Sequence, residues 1–92
     1  METEIGCVTH YFNHLNVAVL KLKRSLKVGD KIHILGHSTD LIERVTSMEV
    51  NHHMVLTVQP GADVAIKVIE PVREHDLVLR VAEELLELHP GC

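Results

Sequence analysis

The chain has 92 residues, a formal net charge of −4 and 46% hydrophobic residues, and its only aromatic residues are Tyr11 and Phe12. This length makes one small domain, and the many β-branched residues favour strands around an aliphatic core. The acidic balance argues against a domain that grips nucleic acid through charge alone, because such domains are usually basic. The polar opening Met-Glu-Thr-Glu is unlike a signal peptide, and no apolar run approaches the roughly 20 residues that span a bilayer. We therefore predict a soluble, cytoplasmic protein without membrane contact.

Alternation of apolar and polar residues predicts strands along most of the chain. In chain order they are Ile5–Phe12, Val17–Lys23, Lys31–Leu35, Leu41–His53, Met54–Val58, Asp63–Ile69 and Asp76–Val81. Gly6, inside the first strand, indicates a bulge or a close approach of two backbones. The long fourth strand changes phase, and a β-bulge near Thr46 or Ser47 would reconcile its two halves.

Two glycines mark tight turns between these strands. Gly29 in Lys-Val-Gly-Asp suits the third position of a type II turn, where φ must be positive. Gln-Pro-Gly-Ala, with Gly61 at its third position, has the same signature and the proline that favours it. The turn at Gly29 fixes the register of the strand that follows, because a slip of one residue would put Ile32 and Ile34 in water.

The period changes at Ala82, where helix-forming residues begin and Val81, Leu85 and Leu88 share a helical stripe. The predicted fold is therefore all-β, a small six- to seven-stranded closed antiparallel β-barrel with a short C-terminal helix. The barrel would cover residues 1–81 and the helical tail residues 82–92.

The stretch Leu26–Gly36 resembles the K-V-G-D-x-I-x-I-x-G turn in the second domain of elongation factor Tu and related translational GTPases. Three further segments are similar to that domain's opening strand, its V-x-S-I/M-E strand and its x-G-D-x-V-G-I turn, in the same order. They are Ile5–Val8, Val45–Glu49 and Pro60–Ile66. Whole-chain similarity is greatest to stand-alone elongation factor-like proteins and to the barrel appended to some collagenase-like peptidases.

The resemblance implies an elongation factor Tu domain 2-like barrel, which in the large factors helps to hold the aminoacyl end of tRNA. It supplies no site residue, because the contact residues of those factors match no motif here. The chain lacks G-x-x-x-x-G-K-[ST], so no nucleoside triphosphate, cofactor or GTPase activity is expected. Ala65 stands where the family often has glycine, and the tail lies outside the match.

Eight histidines raise the question of a metal site, but their spacing does not bring several of them to one ion. We expect His33 and His37 to lie far apart along a strand, and His52 and His53 to point to opposite faces. Cys7 and His10 could form a nucleophile pair, yet three residues along a strand place their side chains on opposite faces. We expect free thiols, a small core residue at Cys7 and no metal site.

Five cations crowd around the first turn and are candidates for contacts with RNA backbone or an acidic partner. They are Lys21, Lys23, Arg24, Lys27 and Lys31. Leu85 and Leu88 are candidates for an interaction helix. We predict a non-enzymatic module that binds RNA, such as tRNA or rRNA, or a component of translation or RNA modification. The alternatives are an adaptor that acts in trans on an enzyme and, less favoured, a small enzyme; the oligomeric state stays open.

Overall fold

The computed structural model describes residues 2–82, and these residues form ten strands and no helix. The strands are β1 (Glu2–Phe12), β2 (Val17–Leu22), β3 (Leu26–Lys27), β4 (Lys31–Leu35), β5 (Asp40–Arg44), β6 (Met48–Val50), β7 (His53–Val55), β8 (Thr57–Val58), β9 (Asp63–Lys67) and β10 (Leu77–Val81). The all-β prediction is confirmed. Within residues 2–82 there is no helix of the length and apolarity that a membrane crossing requires. The predicted helix, with Leu85 and Leu88, lies outside the described residues.

Eight strands form one antiparallel sheet in the order β5-β4-β10-β1-β2-β9-β6-β7, and β3 pairs with β8 in a separate two-stranded sheet. The last strand in the chain, β10, therefore lies in the interior of the large sheet, between β4 and β1. The sheet bends around a single aliphatic core, to which nearly every strand contributes at least one buried residue. Ile5, Leu20, Ile32, Met48 and Val64 are among the side chains with no exposed surface.

The predicted closed barrel of six or seven strands is wrong in strand number and in closure. The edge strands β5 and β7 do not pair with each other in the described part of the chain. Hydrogen bonds from the Gly29 amide to the Val45 carbonyl and from the Val45 amide to the Asp30 carbonyl, both 2.8 Å, bridge the first turn to the end of β5. Both edge strands are short, since β5 ends at Arg44 and β7 has 3 residues, and this limits the backbone available for closure.

The predicted strand Leu41–His53 is also wrong, because it is three elements that lie at opposite edges in the strand order of the sheet. β5 lies at one edge, whereas β6 and β7 form a hairpin at the other. Asn51 and His52 make the two-residue turn of this hairpin, with φ values of 52° and 66°. The change of phase in the sequence thus marks a chain that leaves one side of the core for another, and not a bulge within one strand.

The turns and glycines that the sequence singled out behave as predicted. Gly29 and Gly61 have φ values of 98° and 93° at the third positions of their turns. Gly6 lies where the register between β1 and β10 shifts, and a Cβ there would meet the Lys21 carbonyl oxygen of β2. The Asp30 carboxylate, almost buried, accepts hydrogen bonds from the Lys27 amide and from Lys27 Nζ, both at 3.0 Å.

Candidate functional site

The outward side of β4, β5 and β10 carries aliphatic side chains where a half-solvated sheet usually carries polar ones. Inward residues such as Ile32, Ile34 and Val78 have no exposed surface, so their sequence neighbours point away from the core. The register pairs Leu77 with Leu35, and it places His33 between Leu79 and Ile42. Directly paired residues share a face of a sheet, so these outward residues are neighbours.

We call this surface the outer apolar face, and it consists of Leu35, Ile42, Leu77, Leu79 and Val81. Ile42 is 49% exposed, Leu77 40% and Leu35 37%, while the other two are half-buried. Contiguous exposed apolar surface rimmed by polar groups marks interaction sites in soluble proteins. The outer apolar face is therefore the best candidate for a binding surface among the described residues.

His33 lies in the middle of this face and connects two strands that are not neighbours in the sheet. Its Nδ1 lies 2.8 Å from Glu2 Oε2 of β1, and its Nε2 lies 2.6 Å from Asp40 Oδ1 of β5. The hydrogen bond to Asp40, then that to Glu2 and both carboxylate charges, raise the pKa of His33 against the opposing effect of burial. A protonated His33 thus ties β1 and β5 together across the aliphatic side chains of β10.

A cavity of about 540 Å³ adjoins the outer apolar face at Leu35 and Leu77. Its other wall is the turn that leads into β10, in which the Arg73 amide donates to Asp76 Oδ2 at 2.8 Å. His75, at the third position of this turn, has a φ of 77°, a conformation that costs a residue with a Cβ some free energy. Gly36 also lines this cavity. The position requires glycine, because any Cβ there would collide with the buried Asp76 carboxylate.

Three of the five predicted basic site residues are held in ion pairs with carboxylates of the domain. Lys21, Lys23 and Lys27 lie 4.0, 3.1 and 3.0 Å from Asp63, Glu4 and Asp30 respectively. Exposed pairs of this kind are weak, but they lower the positive potential that a phosphate backbone would meet. Arg24 is exposed on the loop after β2. Lys31 lies opposite Arg44 in the register of β4 and β5, at one end of the outer apolar face. Whether any of the five contacts a partner stays a prediction.

The histidines and Cys7 form no reactive constellation in the part of the chain that the structure describes. Within residues 2–82, no three His, Cys, Asp or Glu side chains are placed to hold one metal ion. His10 Nδ1 lies 3.6 Å from Glu74, and its ring packs on Phe12 at 4.5 Å between centroids, so it is directed to groups other than Cys7. Cys7 is half-buried beside Leu77 and is not the core residue that the sequence predicted.

Sequence reasoning did not single out the outer apolar face, although one signal for it is present. The segment Leu77–Val81 has apolar residues on both parities of the strand, which is typical of a strand that is covered on both sides. Leu35 and Ile42 lie some 40 residues away along the chain and join Leu77 only through the strand order.

A comparison with curated proteins finds a relative that is named a protease. The chain is 37% identical over 83 residues to an uncharacterized protease of Methanocaldococcus jannaschii, and the match covers 89% of this chain and 20% of the relative. The chain therefore spans about one fifth of the length of the curated relative that it matches. No family model matches the chain.

Solved structures show the same fold. The C-terminal domain of a Geobacillus thermoleovorans protein assigned to the U32 peptidases superposes with a TM-score of 0.81 at 14% identity, over 87% of this chain and 93% of that domain. Its selenomethionine variant gives a TM-score of 0.77 at 15% identity, over 82% of this chain and 95% of that one. At these identities the likeness establishes the fold.

These findings correct the identity and function predicted from the sequence. The relative is named a protease and the structural neighbours are domains of a U32 peptidase, so the elongation factor-like identity is wrong. The prediction of a non-enzymatic, RNA-binding module of translation is wrong for the same reason. The four motifs that carried the resemblance are short turns and strand ends, which unrelated β domains share.

Proposed function

We propose that this chain is a domain of a U32-type peptidase, the counterpart of the C-terminal domain that it superposes on, and that its outer apolar face docks on the remainder of that enzyme. The identity of 37% with one fifth of a protease supports the assignment. The remaining four fifths of such a protein offer a partner surface, whether joined in one chain or met as a separate one.

The outer apolar face is the observation that carries the docking proposal. Fully burying an aliphatic side chain contributes roughly 1.5–3 kcal/mol, and three such side chains here keep more than a third of their surface in water. The carboxylates of Glu2 and Asp40 lie at the sides of the face and hydrogen-bond to His33 in its middle. Protein interfaces likewise place polar groups around an apolar centre. The adjoining cavity beside Leu35 and Leu77 could receive a side chain of the partner.

Lys31 extends this surface at one end, on the same strand as Leu35. We propose that it meets an acidic group of the peptidase, because it is the predicted basic residue that shares strand β4 with the outer apolar face. A contact of this kind at a rim affects the rate of association more than the final affinity.

The test is to produce the 92-residue chain together with a U32-type peptidase chain from which the corresponding C-terminal domain has been deleted. We expect co-elution on size-exclusion chromatography and a change in the rate of casein cleavage relative to the deleted peptidase alone. Leu77→Asp places a charge on the outer apolar face beside the cavity, so it should abolish co-elution. Leu56→Asp is the matched control, since Leu56 is 76% exposed on the loop between β7 and β8.

Circular dichroism of both aspartate variants separates loss of docking from loss of fold. Separate elution of the wild-type chain, with no effect on casein cleavage, would contradict the proposal. Equal loss of co-elution in both variants would contradict the assignment of the interface to the outer apolar face.

A further inference from the structure

A second cavity, of about 410 Å³, lies on a different part of the large sheet, over β2, β9 and β6. Ala65 forms its floor, because the register places this small residue between Val19 on one neighbouring strand and Glu49 on the other. Phe12, Leu15 and Val17 line one side. The volume falls in the range of about 300–1,000 Å³ that is typical of ligand sites.

The two walls of this cavity are turns with unusual backbone conformations. Asn16, which follows Leu15, has a φ of 55°, and Asn51 and His52 in the opposite turn have φ values of 52° and 66°. Asparagine tolerates this region, but histidine adopts it at a cost in free energy. Of the four left-handed residues other than glycine in the described chain, these three flank one cavity. Backbone strain of this kind concentrates at functional sites.

The cavity combines apolar walls with a few polar groups at its rim. Phe12 is 43% exposed and Leu15 is 61% exposed, so both leave apolar surface in water. Glu49, Lys67 and His52 lie on the remaining sides and can accept or donate hydrogen bonds. A few polar groups around an apolar cavity fix the orientation of a ligand that carries both kinds of surface.

We propose that this cavity binds a single large apolar side chain of an extended polypeptide and so serves as a substrate subsite. The inference rests on the proposed function, because the substrates of a peptidase are polypeptides. The side chain would lie on Ala65 against Phe12 and Leu15, while amide groups of the peptide meet Glu49 and Lys67. The subsite is separate from the outer apolar face, which lies on β4, β5 and β10.

The test uses the full chain labelled with ¹⁵N and two blocked pentapeptides of alanine, one with leucine and one with serine at the centre. We expect saturable amide shifts at Val17, His52 and Ala65 with the leucine peptide only. Ala65→Leu fills the cavity from the solvent side without touching the core, and it should weaken binding at least tenfold. Ala82→Leu makes the same change at an exposed site on another part of the domain and should leave affinity within twofold.

The outcomes separate the subsite from the docking proposal. Saturable binding that is unaffected by Ala65→Leu, equal shifts with both peptides, or no shifts at all would overturn the subsite. Each of these results leaves co-elution through the outer apolar face as an independent measurement. If the wild-type chain does not co-elute with the truncated peptidase but binds the leucine peptide in an Ala65-dependent way, only the docking role is overturned.

Discussion

His33 and Asp40 lie 2.6 Å apart, while the other ring nitrogen of His33 lies 2.8 Å from Glu2. Both acceptors are carboxylates, so both ring nitrogens must donate, and only the protonated imidazole can do this. The protonation of His33 therefore determines whether both hydrogen bonds that connect β4 to β1 and β5 can form.

The stability of the domain should therefore fall as pH rises. The pKa of His33 is raised in the folded state, first by the hydrogen bond to Asp40, so its contribution is complete below the unfolded value of about 6.5. The contribution is lost as pH rises through the raised value. His33→Gln should lower the melting temperature most near pH 6 and by a shrinking margin up to pH 9. Thermal denaturation of wild type, His33→Gln and the exposed-loop variant His37→Gln measures this, and the same trend in both variants would contradict it.

Glu43 should show the opposite response to substitution at neutral pH. Burial raises the pKa of the Glu43 carboxyl, the charge of Glu70 adds to this, and a hydrogen bond from the Ile69 amide at 2.9 Å offsets part of it. Because the folded pKa is raised, stability is lost as pH rises from the ordinary value through the raised one. Glu43→Gln keeps an acceptor for the Ile69 amide and removes the charge. We therefore expect the variant to be more stable than wild type at pH 7 and to gain no stability over it at pH 3.5. Urea denaturation at both values checks this; a less stable variant at pH 7 would contradict it.

Gly6 is required because two backbones approach closely at the bulge of β1. Gly6→Ala would drive a Cβ into the Lys21 carbonyl oxygen, which cannot move without opening the β1–β2 pair. We expect a loss of about 3 kcal/mol in the free energy of unfolding. Gly61→Ala is the comparison, since no atom lies near its Cβ position and only its φ of 93° is unfavourable, which costs about 1 kcal/mol. Equal losses in urea denaturation would show that the clash is not the cause.

His52 occupies a hairpin position that glycine suits better. Its φ of 66° in the two-residue turn after β6 matches the conformation for which Asn-Gly is preferred. His52→Gly should stabilise the domain by about 1 kcal/mol, whereas His53→Gly, one residue later in β7, should destabilise it by about 0.5–1 kcal/mol. Chemical denaturation of both variants gives the answer, and destabilisation by His52→Gly would mean that its side chain contributes contacts of greater value.

Local features of the fold could be predicted from the sequence because they depend on short-range rules. The bounds of β4 and the turns at Gly29 and Gly61 follow from alternation and from the need for positive φ. The break inside Leu41–His53 could not be recognised, because a bulge and a departure of the chain produce the same change of phase. The resemblance misled for a related reason, since its motifs describe turns and not the order of strands.

The candidate site could not be predicted, because it depends on strand order. Leu77 and Ile42 belong to one surface because β10 lies beside β4 in the sheet. The spacing of residues along the chain does not indicate that these two strands are neighbours. The five cations were visible as a cluster along the chain, but their carboxylate partners Asp63 and Glu4 come from other strands. Both the outer apolar face and the ion pairs of these cations thus depend on contacts between residues that are far apart in the sequence.

The place of β10 between β1 and β4 also has a consequence during synthesis on the ribosome. Until residues 77–81 leave the exit tunnel, β1 and β4 each expose an unsatisfied strand edge, and no strand pairing joins the two parts of the large sheet. Such a nascent chain is a template for pairing with its neighbours, so fragments that stop before Leu77 should aggregate where the 92-residue chain folds.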